Sequence, residues 1–179
     1  PGTVFLNRIM GRSVVADDGR NAMLEVGAGE NWHALVQWTL NQRLCGLENL
    51  SLIPGSVGAA PIQNIGAYGV ELSSVLDSVT AWDWQTRAWL CFSAEECELA
   101  YRDSLFRSGA PDRYLITSIR LRLSHEFQPR LDYAGLREEL AARGLARPTA
   151  QDVSDAVIRL RRRKLPDPAE IGNAGSFFK

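Results

Sequence analysis

Cysteine is scarce in this chain and poorly placed for cross-linking. Cys45, Cys91 and Cys97 are an odd number without CxxC spacing, so neither a disulfide framework nor a zinc site is expected. Reduced, mostly buried thiols remain as the reading. Histidine is rarer still: His33 and His125 stand apart from each other and from any acidic cluster, so both read as structural or exposed. No apolar run reaches the ~18 residues of a membrane span, and no signal peptide opens the chain. A soluble cytoplasmic protein without a membrane partner is the expectation, and Pro1 in place of Met adds that the start is not native. Charge of one sign is lacking too. Twenty Lys and Arg face 21 Asp and Glu for a net charge of -1, which leaves no global basic field of the kind nucleic-acid binders use.

What is present is ordinary for a folded domain. The 179 residues are 45% hydrophobic and 23% charged, enough for one domain, or one domain and a piece of a second. Thr3 to Ile9 and Ala22 to Val26 are β-rich, with a turn signal at Asp17-Asp18-Gly19 between Val15 and the second run. Leu35, Val36, Thr39 and Leu40, with Trp32 one turn earlier, recur at helical spacing between Glu30 and Arg43, and Gly46 follows as a helix stop. Val75 to Trp84 and Ala88 to Phe92 read as a hairpin in which Trp82, Trp84 and Trp89 pack, and Tyr114 to Leu123 alternates as a further strand. Gly135 to Arg143 and Ala150 to Arg163 read as helices, the second capped by Thr149 with Asp152 three residues on and stopped before Pro166. The class is α+β with a largely antiparallel sheet.

Residues 52 to 69 break every periodicity. Gly55, Gly58, Gly66, Gly69, Pro54 and Pro61 fall in this one stretch, and loops of such length tend to be functional, although a glycine-rich connection has the same look. The basic run Arg159, Arg161, Arg162, Arg163, Lys164 is, as a bare charge run, a solvated helix face.

Three ordered motifs decide between these readings. The run from Gly46 to Gly69, GLENLSLIPGSVGAAPIQNIGAYG, is followed by Tyr101-Arg102-Asp103-Ser104, and then by Lys164-Leu-Pro-Asp-Pro and Gly172-Asn-Ala-Gly-Ser-Phe-Phe-Lys179. In this order and spacing the chain resembles the flavin-dependent UDP-N-acetylenolpyruvoylglucosamine reductases, over essentially its whole length. The resemblance implies the second lobe of a vanillyl-alcohol-oxidase-type FAD-binding domain over residues 1–165, and the start of a substrate-binding domain over residues 166–179. It also implies that the family's first-lobe phosphate loop and its catalytic glutamate lie outside this sequence, which is then a central piece.

Site roles follow from the same resemblance. Ile53, Pro54, Gly55, Ser56, Gly58, Ile62, Ile65 and Gly66 are implied to line FAD, and Arg161 to stand beside the flavin. Physically, Gly55 and Gly58 would let a pyrophosphate approach backbone N–H groups, the isoleucines would offer apolar faces to a flat ring, and Gly66 would let that ring come close. Outside the family context these isoleucines are core. Arg102 beside Asp103 reads by composition as a surface ion pair, but the resemblance places it at the enolpyruvyl group as a catalytic fork of donors. Ser176, otherwise a turn residue, is implied as proton donor, and Tyr133 and Lys164 as contacts to the UDP diphosphate. The implied reaction is NADPH-driven reduction of UDP-N-acetylglucosamine enolpyruvate to UDP-N-acetylmuramate in bacterial peptidoglycan synthesis. The rival reading is a non-catalytic nucleotide-binding fragment of the same fold, against which stands the joint presence of Arg102, Ser176, Tyr133 and Lys164.

Overall fold

The computed structural model describes residues 4–166. Five antiparallel strands form the main sheet: β1 (Arg12–Asp17), β2 (Asn21–Gly27), β5 (Leu76–Asp83), β6 (Ala88–Ser93) and β7 (Tyr114–Ser124), in the spatial order β1-β2-β7-β5-β6. Alternation produces the sheet's two faces. Leu24 opposes Leu121 and Val26 opposes Ile119, and all four are buried, while Arg120 and Arg122 on the other face pair with Glu25 at 2.8 Å and Asp77 at 3.0 Å. A small hairpin, β3 (Gly66–Ala67) with β4 (Val70–Glu71), stands apart from this sheet.

The first strand is not where the β-rich run Thr3 to Ile9 predicts it. Among the described residues, Val4 to Met10 form no ladder, and the strand is the fully exposed Arg12–Asp17. The reason lies in the partner. Gly27 and Gly29 leave room for the backbone of Arg8 to Met10, where an added Cβ would come within 2.3 Å of the Ile9 carbonyl oxygen, and their N–H groups donate to Gly11 and Ile9. The segment is laid against the end of β2 by close approach and these two backbone hydrogen bonds, without a continued strand ladder.

Helix α1 (Trp32–Asn41) starts at Asn31, whose side chain accepts the Ala34 N–H. It buries Trp32, Leu35, Val36 and Thr39 against the sheet, and the Trp32 indole donates to Leu50 at 3.0 Å. It ends before Gly46. The left-handed turn comes first at Arg43 (φ 58), and Gly46 (φ 128) serves the following turn, where its missing Cβ makes room for Val75 and Leu123.

A second core lies between α2 (Leu136–Ala141) and α3 (Ala150–Lys164). The cap of α3 is reciprocal, Thr149 Oγ1 accepting from Asp152 N and Asp152 accepting from Thr149 N at 2.8 Å. Val153, Ala156, Val157 and Leu160 then meet Leu136, Leu140 and Tyr68. Each such aliphatic burial contributes ~1.5–3 kcal/mol. The hydroxyls of Ser51 and Ser154, both buried, hydrogen-bond each other at 2.7 Å and join α3 to the start of the glycine loop. No helix among the described residues is long and apolar enough to cross a membrane.

Candidate active site

Residues 52–69 are shaped by short turns at Val57–Ala59 and Pro61–Gln63 and closed by the β3–β4 hairpin. Backbone bonds fasten the loop to the end of β2 and the start of α1. Trp32 N donates to Gly55 O at 3.0 Å, Val57 N to Glu30 O at 2.9 Å and Gly58 N to Ala28 O at 2.9 Å. Gly58 therefore does not present the phosphate-facing donor expected of it. Its glycine is required by packing, since a Cβ there would meet the Ala28 Cβ at 2.6 Å. Among the described residues, the N–H groups that find no partner at this corner are those of Gly55, which is left-handed at φ 106 with open space where a Cβ would stand, and Ser56. Two adjacent free amides and a serine hydroxyl can receive anionic oxygens.

In the same loop, Ile53 and Ile62 are half-buried and pack on the main core, whereas Ile65 is buried and reads as core. Pro54 is exposed beside them.

The loop meets the other candidate residues at both ends. Arg161, desolvated enough that its pKa falls below the ordinary arginine value, donates from Nε to Leu52 O at 3.1 Å. Its neighbour His33 accepts the Leu52 N–H at Nδ1 (3.0 Å), and burial, with the charges of Arg162 and Arg161, pushes that imidazole pKa down. At the far end Arg102 donates from Nη2 to Gly66 O at 2.9 Å, with its guanidinium 5.5 Å from the Tyr101 ring centre. Asp103 is not its partner. That carboxylate accepts instead from Ser104 N at 2.9 Å and Ser108 Oγ at 2.6 Å. Gly66, expected to admit a ring, gives room to its own hairpin: an added Cβ would lie 3.0 Å from Glu71 Cγ and 3.2 Å from the Val70 carbonyl oxygen, with Arg102 Nη1 at an ordinary 3.4 Å.

Tyr133 reaches the loop through Tyr68, the rings meeting edge-on at 4.9 Å. Lys164 is exposed at the C-terminal end of α3, and Ser176 lies outside the described residues. His125, read as isolated from acids, lies 3.1 Å from both Asp17 oxygens on the surface. No cluster of metal-ligating side chains occurs among the described residues.

Sequence reasoning missed Asn64, which is buried at φ 42 and binds Glu71 Oε2 at 2.9 Å, Ala100 O at 3.1 Å and Ser73 N at 3.0 Å. With Ser104 Oγ donating to Ile62 O at 2.7 Å, it clamps the Tyr101-Arg102 segment to the loop. Its left-handed backbone and its partners emerge only in the fold, and no sequence signal announced the role.

Residues 2–88 match the family described as an FAD binding domain. The UDP-N-acetylenolpyruvoylglucosamine reductase of Pseudomonas putida is 56% identical over 169 residues, covering 94% of this chain and 50% of that protein. Its counterpart in Dechloromonas aromatica is 54% identical over 180 residues, covering 99% of this chain and 53% of the relative. The chain belongs to the UDP-N-acetylenolpyruvoylglucosamine reductase family. It spans about half the length of the curated relatives it matches. The crystal structure of the Thermus caldophilus reductase superposes with a TM-score of 0.51 at 25% identity, over 79% of this chain and 69% of that one. The α+β class and the FAD-binding-domain fold read from the sequence both stand.

Proposed function

We propose that this chain supplies one wall of the active site of a reductase that converts UDP-N-acetylglucosamine enolpyruvate to UDP-N-acetylmuramate, using FAD and NADPH. The observation that carries the reading is that Arg161, Arg102 and, through Tyr68, Tyr133 are all attached to the same glycine loop. The loop residues fit FAD. The free amides of Gly55 and Ser56 suit its pyrophosphate, and the outward faces of Ile53 and Ile62 suit its ring. When bound, FAD supplies the hydride relay between NADPH and the enolpyruvyl double bond.

The chain's own residues then bind, orient and protonate. Arg102 offers a planar fork to the substrate carboxylate and stabilises charge that develops at C2 once C3 accepts a hydride. Its left-handed backbone and its bond to Gly66 hold the fork at the loop's edge. Ser176 donates the proton to C2. Tyr133 and Lys164 hold the diphosphate, and Arg161 keeps positive charge beside the ring. Residues 166–179 begin the substrate-binding domain, and the reaction runs in the bacterial cytoplasm.

The test uses the complete protein, with its flanking segments. It should purify yellow with flavin absorbance and oxidise NADPH stoichiometrically with the enolpyruvyl sugar nucleotide. Absence of bound flavin, or NADPH oxidation indifferent to that substrate, would overturn the reading.

A further inference from the structure

Asn49 lies in the short turn Glu48–Leu50 and is 1% exposed. Its Nδ2 donates at 2.8 Å to the carbonyl of Tyr68 and at 2.8 Å to that of Arg130, residues 19 and 81 positions further along the chain. Two carbonyl acceptors fix the orientation of the amide, because only the NH2 end can face both. Its Oδ1 is buried and has no hydrogen-bond partner among the described residues. Stranding a buried acceptor is unfavourable, so the geometry sacrifices one end of the side chain to make the other a two-way clamp. The two carbonyls belong to the segments whose rings then meet, Tyr68 on the glycine loop and Tyr133 three residues after Arg130. Tyr68 is buried whereas Tyr133 is 44% exposed, so the clamp fixes the backbone beneath an aromatic side chain that faces outward.

We propose that Asn49 is a positioning residue for substrate binding, setting Tyr133 against Tyr68 at the place where the nucleotide's diphosphate is held. It rests on the reading of Tyr133 as a contact to that diphosphate. An aspartate has the same shape but would turn an oxygen toward two carbonyls, and a leucine fills the volume without a donor.

In the complete protein, Asn49→Asp and Asn49→Leu should each weaken calorimetric binding of UDP-N-acetylmuramate and raise the KM of the enolpyruvyl substrate roughly tenfold. The turnover number should stay within about twofold of wild type, a split that a general loss of structure would not produce. Adding Asn49→Leu to Tyr133→Ala should weaken binding no further, because the asparagine acts through the tyrosine. Folded Asn49 variants that bind normally while Tyr133→Ala does not would overturn this proposal alone. Full additivity of the two losses would do the same. Normal binding by Tyr133→Ala would remove the reading of Tyr133 and the proposal with it. Asn49→Gln keeps the donor on a longer arm, and if none of the three variants folds, Asn49 is a core element and the positioning role is wrong.

Discussion

Arg102 and Gly66 are joined by a 2.9 Å hydrogen bond from the guanidinium Nη2 to the main-chain oxygen, so the arginine's fork is anchored to the hairpin that closes the glycine loop. The anchor matters because Arg102 sits at φ 55, in a region that favours glycine, and would relax without support. Further support comes through Asn64 and Ser104, which fasten the flanks of the arginine to the loop.

Removing the Asn64 clamp should therefore be costly. Asn64→Ala removes the hydrogen bonds of a buried amide to Ala100 O, Glu71 and Ser73 N; because Ser73 and Ala100 are exposed and Ala100 O still accepts from Asp103 N, the loss should total ~1–3 kcal/mol rather than that much for each bond. Asn64→Gly, which accommodates φ 42, should recover no more than ~1 kcal/mol of that. Urea denaturation of both variants checks it. A wild-type midpoint for Asn64→Ala would show that the network carries no stability.

Gly58 and Gly55 should respond differently to alanine. At Gly58 the new Cβ meets Ala28 at 2.6 Å, and the overpacking should cost ~1–3 kcal/mol. Ala28→Gly in the same chain should restore part of it. At Gly55 the space is open, and the penalty is only the ~1 kcal/mol of a left-handed backbone. Thermal melts give the order. Equal melting temperatures for Gly58→Ala and the wild type would contradict the packing account.

His33 gives the fold a pH dependence of definite sign. Its folded pKa lies below the ordinary 6.5 because of burial and the charges of Arg162 and Arg161, and neutral Nδ1 accepts the Leu52 N–H. The neutral ring's contribution is fully present above pH 6.5 and is lost as pH falls through the lowered folded value. His33→Gln should flatten the fall in melting temperature between about pH 7 and pH 5.5. An NMR titration of the His33 ring with a midpoint above 6.5 would refute the assignment.

Legibility in the sequence followed the range of the interaction. The cap of α3 was readable because Thr149 and Asp152 are neighbours, and the hairpin β5–β6 because its alternation and turn are local. The first strand was misplaced because apolar content does not distinguish a paired strand from a segment lying on glycines, and what sets Val4 to Met10 apart is the absence of Cβ at Gly27 and Gly29. Asn49 and Asn64 were invisible for a related reason. Their partners Arg130 and Ala100 are 81 and 36 residues away, and nothing in an asparagine announces which carbonyls will come to it. At the site, Arg102, Arg161 and the loop were named from motifs, whereas the use of Gly58 and Gly66 for packing required the backbone's close approaches.

The central claim is that Arg102 acts on the substrate as a two-pronged donor held by the loop, and the direct measurement is stopped-flow of Arg102→Lys in the complete protein. Lysine keeps the charge but not the planar fork. Flavin reduction by NADPH should stay within about twofold of wild type, while reoxidation by the enolpyruvyl substrate should slow by ~10²–10³-fold, the range for losing a positioned donor at developing charge. Reoxidation at the wild-type rate would contradict the account, leaving Arg102 as no more than a strut for Gly66.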